Sequence, residues 1–101
     1  MIRHISIFTL EDKSQIPEFL TLLEATADSC PLITACQVGT HLYPSTNTNQ
    51  PGPDFGDVVQ IIDFQTAQDA ADYPTSQAHQ RLIKEGPVMA KVTAIDFEFS
   101  K

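Results

Sequence analysis

The segment IRHISIFTL, residues 2–10, carries apolar side chains on both of its faces, and this restricts the available folds more than any other feature of the chain. Side chains alternate across a strand. Ile2, His4, Ser6, Phe8 and Leu10 therefore share one face, and Arg3, Ile5, Ile7 and Thr9 share the other. The doubling recurs in DVVQIIDF, where Val59 and Ile61 oppose Val58, Ile62 and Phe64. It recurs again in KVTAIDFEF, where Ile95, Phe97 and Phe99 contrast with Val92, Ala94 and Asp96. An antiparallel sheet with one solvated face alternates more cleanly than this.

The intervening segments supply helices. In EDKSQIPEFLTLLEATADSCP, the residues Ile16, Phe19, Leu20, Leu23 and Ala27 fall on one helical face. Ser14 is the expected N-cap, Pro17 fits a first turn, and Pro31 ends the run. LITACQVGTHL reads as a second strand. QTAQDAADY reads as a short helix, and TSQAHQRLIKEG as another helix or as its continuation past a kink at Pro74. Thr75 or Ser76 caps that helix and Gly86 closes it. The order strand, helix, strand, strand, helix, strand predicts an α+β fold of ferredoxin-like type, βαββαβ, with a four-stranded antiparallel sheet and helices on one face. At 101 residues the chain is one domain, residues 1–101. Helices cover only one face, so the second apolar face predicts a partner sheet, most simply from a second copy. The segment YPSTNTNQPGPDFG, residues 43–56, lacks periodicity and reads as a long loop, with a lid as one reading.

Charge excludes some functions. Thirteen Asp and Glu against six Lys and Arg give a net charge of −7. Phosphate backbones and anionic membrane surfaces call for clustered cations, so neither nucleic acid nor a membrane is an expected partner. No apolar run reaches the roughly 18 residues of a membrane span, and the start MIRHISIFTLEDK alternates unlike a signal peptide. A cytoplasmic protein is expected. Cys30 and Cys36 lie at a spacing unusual for metal sites and have no second pair, so they are read as two small buried thiols. No glycine-rich phosphate loop is present, and no metal or cofactor is expected.

Candidate site residues come from faces. His79 groups with Leu82 and Ile83 on the inward side of the last helix, and Tyr73 shares a face with Ala70 one turn earlier. His4 alternates in phase with Ser6 and Phe8. If that strand face lies beneath the helices, His4, Phe8, Tyr73 and His79 surround one cavity, and Ser6, Phe19, Leu23, Val58 and Leu82 complete its lining. Such a pocket suits an apolar, aromatic or hydroxylated small molecule. With Ser76 as N-cap, His79 sits at the positive end of the helix, which disfavours imidazolium. A neutral His79 is then a general base, and the Tyr73 hydroxyl holds a carbonyl or a developing enolate. The plainer alternative makes both residues packing groups with one hydrogen bond each. His4 and His79 as metal ligands have no supporting spacing. His41 is expected to be exposed beside Tyr43. No Ser–His–Asp constellation can be read, because nothing places a serine in a nucleophile turn.

The pieces RHISIFTL, CQVG, VVQIIDFQT and YPTSQAHQRLI, leading into TAIDFEF, together resemble the stress-responsive dimeric α/β-barrel (Dabb) family. The likeness spans Met1 to about Phe99. The family's pattern near the last helix resembles Y-x-x-H-P-x-H; Tyr73 and His79 match its ends, while Ser76 and Gln77 stand in place of the first His and the Pro. The resemblance implies a protomer whose sheet closes with a partner's into a dimeric α+β barrel, with a pocket between sheet and helices. One member of that family, the plant olivetolic acid cyclase, closes a linear polyketide by aldol condensation. By resemblance, Tyr73 would position a substrate, His79 would remove a proton, and His4 would line the site. Four readings follow: a homodimer that binds an apolar or aromatic molecule, a cofactor-free cyclase or isomerase, a cofactor-independent monooxygenase, and a dimerisation module without a ligand.

Overall fold

The computed structural model describes residues 1–42 and 55–100. The segment 43–56 expected to form a long loop therefore lies outside the described residues, apart from Phe55 and Gly56. The elements are β1 (Ile2–Leu10), α1 (Ile16–Ser29), β2 (Ile33–Thr40), β3 (Val58–Phe64), α2 (Ala67–Asp72), α3 (Gln77–Glu85) and β4 (Met89–Glu98). Short 3-10 turns precede α1, at Lys13–Gln15, and α3, at Tyr73–Thr75. The sheet has the order β2-β3-β1-β4, with each pair antiparallel. This is the ferredoxin-like arrangement expected from the order of elements.

Two helix starts show how local chemistry sets the boundaries. The expectation that Ser14 caps α1 is corrected. Asp12 caps the 3-10 turn ahead of the helix, its carboxylate accepting hydrogen bonds from Ser14 N at 3.0 Å and Ser14 Oγ at 2.6 Å. That interaction winds a 3-10 turn first and delays α1 to Ile16, with Pro17 in its opening turn. At α3 the expectation holds: Ser76 Oγ accepts from His79 N at 3.2 Å. Gly86 ends α3 by donating its N–H to the Leu82 carbonyl at 2.8 Å. A Cβ there would lie 2.7 Å from the same oxygen, so the close approach calls for glycine.

The core lies between the helices and one face of the sheet. Phe8, Leu10, Phe19, Leu23, Val58 and Leu82 form one buried cluster, and Phe8 meets Phe19 edge-to-face at 4.9 Å. Cys30, Ile62, Phe64 and Tyr73 form a second. Each fully buried Leu or Phe contributes about 1.5–3 kcal/mol. Asp57 fixes the relation of β3 to β1: its N–H donates to the Phe8 carbonyl at 2.8 Å, and its carboxylate accepts from Leu10 N and Lys13 Nζ, each at 2.7 Å. The resulting register sets Ser6 opposite Gln60 on β3 and Ala94 on β4, and His4 opposite Ile62 and Asp96.

Among the described residues, no helix packs on the other face of the sheet. Ile5 stands there between Ile61 and Ile95, Ile7 pairs with Val59, and Arg3 lies between Asp63 and Phe97. Ile95 is 62% exposed and Phe97 41%. Arg3 forms a two-pronged ion pair with Asp63 at 2.8 and 3.0 Å and stacks over Phe99. No helix among the described residues is long and apolar enough to cross a membrane.

Candidate functional site

A cavity of about 520 Å3 lies between α3 and the helix-facing side of β1 and β4. His4, Ser6 and Phe8 line it from β1, Gln60 from β3, Val92 and Ala94 from β4, Phe19 from α1, Tyr73 from the turn before α3, and His79 and Leu82 from α3 itself. Its mouth is bordered by exposed Ile83 and Val92. Apolar walls with a few convergent polar groups are the usual make-up of a small-molecule site.

Tyr73 and His79 are brought together as the sequence implies. Pro74 bends the chain into the 3-10 turn, Ser76 restarts it as α3, and the two rings meet edge-on at 4.8 Å. Burial pushes the Tyr73 phenol up to about 12, with the nearby Cys30 and Cys36 thiols adding to the rise. The phenol is thus a neutral hydrogen-bond donor at physiological pH. Its Oη is buried and has no hydrogen-bond partner among the described residues. Burial also lowers the His79 pKa, opposed by the Pro74 carbonyl and assisted by His4. His79 Nδ1 lies 3.1 Å from that carbonyl, which only accepts, so neutral His79 carries its hydrogen on Nδ1. Nε2 is left with the lone pair of a base.

Of the residues expected at the ligand, His4, Ser6, Phe8, Phe19 and Leu82 line the cavity. Leu23 and Val58 do not. Both are fully buried in the cluster beside it, because facing inward determines the side of an element but not the depth. Ile83, expected to point inward with His79, is 69% exposed at the mouth. His41 is half-buried rather than exposed, with Nδ1 3.2 Å from the Gly56 carbonyl. It borders a separate cavity of about 260 Å3 with Ile7, Leu42, Phe55 and Val59. Cys30 and Cys36 are free thiols, the first buried and the second half-buried.

Two residues were missed from the sequence. Gln60 is buried on the cavity wall, and its amide has only the weakly accepting Cys36 thiol beside it among the described residues. Its signal was present: Gln60 is the polar residue between Val58 and Ile62 on the inward face of β3. Asp96 hydrogen-bonds His4 Nδ1, and Ser6 Oγ lies 2.6 Å from His4 Nε2. No Ser–His–Asp order could be read from the sequence, yet the structure joins these three side chains in one hydrogen-bonded row. The set needs no nucleophile turn, because it is built across two paired strands. Among the described residues no three His, Cys, Asp or Glu side chains cluster as a metal ion would require.

Comparison with known proteins places this geometry. The profile of the stress responsive A/B barrel domain, Dabb, spans residues 2–99. The chain belongs to the Dabb family. No curated protein matches the sequence of this Dabb domain. Among solved structures, a hydroxynitrile lyase from Passiflora edulis is similar with a TM-score of 0.79 and 17% identity, covering 99% of this chain and 94% of that one. A Dabb family protein with a ferredoxin-like fold from Mesorhizobium loti has a TM-score of 0.77 and 17% identity, covering 99% and 97%. A protein described as dimeric and ferredoxin-like, from Thermobifida fusca, has a TM-score of 0.75 and 20% identity, covering 97% and 90%. At these identities the likeness establishes a shared fold.

Proposed function

We propose that this Dabb domain is a homodimer in which each subunit binds an apolar or aromatic molecule bearing an oxygen acceptor, in the cavity between α3 and the sheet. The observation that carries the reading is a pair of buried donors with no strong acceptor among the described residues, the Tyr73 hydroxyl and the Gln60 amide, which has only the weakly accepting Cys36 thiol, on the wall of one apolar cavity. Each unmet donor costs about 1–3 kcal/mol. A carbonyl or hydroxyl oxygen on a ligand recovers that cost, while Phe8, Phe19 and Leu82 take up the apolar part. The test is a thermal-shift screen of aromatic ketones and phenols, since native-state binding raises the midpoint. Stabilisation by members of that set, lost in Tyr73→Phe, is the expected result. A flat response across the set removes the reading.

The dimer is supported by the bare apolar face around Ile5, Ile61, Ile95 and Phe97 and by the description of the Thermobifida fusca structure as dimeric. Light scattering at micromolar concentration is expected to give twice the chain's mass. A monomer mass refutes it.

A second reading is favoured by the Tyr73–His79 contact: the site abstracts a proton next to a carbonyl, as a cyclase or isomerase does. A neutral imidazole with Nε2 free is a base, and a neutral phenol is a donor for the enolate oxygen. The Passiflora edulis relative is named as a lyase, so a chain of this fold can be an enzyme. Deuterium incorporation into a bound ketone in D2O, followed by NMR, is expected for the wild type and lost in His79→Ala. Equal exchange in both proteins overturns the base.

A further inference from the structure

Ser6, His4 and Asp96 form a hydrogen-bonded row that runs from the inside of the cavity to solvent. Ser6 is buried, His4 is intermediate, and the Asp96 side chain is 60% exposed. Chemistry dictates where the protons lie. A carboxylate only accepts, so neutral His4 carries its hydrogen on Nδ1 and donates it to Asp96. Nε2 then holds a lone pair and accepts the Ser6 O–H at 2.6 Å. This is the order of nucleophile, base and orienting carboxylate found in acyl-transfer sites of unrelated folds. The sheet itself builds it. His4 and Ser6 are two apart on β1 and so share a face, and Asp96 lies opposite His4 on β4.

The surroundings add the second element such chemistry needs. Gln60 is directly opposite Ser6 in the register, and among the described residues its amide has only the Cys36 thiol, a weak acceptor, beside it. The Tyr73 hydroxyl, on the same cavity, has no partner among the described residues. Fixed donors that lack a strong acceptor in the resting state are poised for an oxyanion. A packing role for Ser6 would require only one hydrogen bond and would leave these donors unexplained.

We propose that Ser6 is a nucleophile that accepts an acyl group, with His4 as its base and Asp96 as a positioning residue, and that the cavity hydrolyses activated esters of small apolar acids. Ser6 Oγ gives its proton to His4 Nε2 and bonds to the acyl carbon, whose carbonyl oxygen takes the negative charge beside Gln60 Nε2 and the Tyr73 hydroxyl. The bond to the leaving alcohol breaks as that oxygen takes the proton from His4. Water then gives a proton to His4, its oxygen adds to the acyl carbon, and the acyl–Oγ bond breaks as Oγ takes the proton back. The products are the carboxylic acid and free Ser6.

This inference goes beyond the ligand-binding reading and rests on it only in requiring that the cavity admit an organic molecule. The test treats the whole protein with 4-nitrophenyl butyrate and, separately, with an alkyl fluorophosphonate, followed by intact mass and peptide mapping. A single phosphonyl adduct on Ser6 is expected, with a burst of nitrophenolate equal to the protein concentration. Ser6→Ala and His4→Ala are expected to reduce the acylation rate at least about 100-fold. Asp96→Asn is expected to slow it, and Asp96→Glu to restore part of the loss, which a merely structural carboxylate would not do. Absence of the adduct from the native wild type, or an adduct on another residue, overturns the proposal. So does wild-type ester turnover in Ser6→Ala. The mapped adduct decides the matter even where a variant fails to fold. Binding of the uncleavable ketone 2-heptanone without any adduct removes the serine and leaves the pocket; failure of both removes the pocket reading as well.

Discussion

Both faces of the sheet carry apolar residues, but only one of them lies beneath the helices. The face covered by helices holds Ser6, Gln60 and His4 among its apolar residues. The face without helices is led by Ile5, Ile7, Val59, Ile61 and Ile95. A lone antiparallel sheet buries its apolar side and wets its polar side. Polar groups gather beneath the helices because they surround a cavity. Apolar groups remain on the bare side, the surface that the proposed second copy would cover. The contrast separates a cavity-bearing face from a bare apolar face within one sheet.

Four experiments test that separation, beginning with the largest effect. Ile95→Asp puts a charge on the bare face, and an unpaired charge buried in an interface costs about 3–5 kcal/mol. The variant is expected to run at monomer mass in sedimentation, and an unchanged dimer would show that this face is not the interface. Leu23→Ala removes a fully buried side chain from the core beside the cavity. A loss of about 2–5 kcal/mol in urea unfolding is expected, and a loss below 1 kcal/mol would place Leu23 outside the packed core.

Tyr73→Phe has opposite effects on the two states. Deleting an unpartnered buried hydroxyl is expected to leave the unliganded protein as stable or more stable by up to about 1 kcal/mol, while ligand affinity falls about tenfold. Calorimetry beside thermal unfolding reads both, and a destabilised variant with unaltered affinity would return Tyr73 to packing. The smallest effect is the pH dependence of His79. Its folded pKa is lowered from 6.5, so the unfolded chain binds the proton first as pH falls. The stability it contributes is full above about 6.5 and is lost as pH falls through the folded value. Urea midpoints at pH 7.5 and 5.5 are expected to differ less in His79→Gln than in the wild type. An equal difference in both would take His79 out of the pH response.

Much of the site was legible because it follows from local periods. Period two puts His4, Ser6 and Phe8 on one face, and period 3.6 puts His79 beside Leu82. The Ser76 cap and the bend at Pro74, which bring Tyr73 to His79, are also local. Depth was not legible. Leu23 and Val58 face inward like Phe19 and Phe8, yet they sit behind the cavity wall rather than on it. Nor was the start of α1, where Asp12 caps a 3-10 turn that precedes the helix and Ser14 is taken up in that turn.

The residue pattern alone set the order of strands and helices, the side each residue faces, and the presence of a second apolar sheet surface. These depend on alternation and helical spacing within a few residues. Tertiary structure decided which residues meet across strands. The hydrogen bond from His4 to Asp96 joins positions 92 residues apart, and Gln60 comes to Ser6 only through the β1–β3 register. A shift of one residue in either pairing would turn those side chains to the opposite face. Register is set by the whole sheet and its turns, so the Asp96–His4–Ser6 row exists only once the sheet has formed.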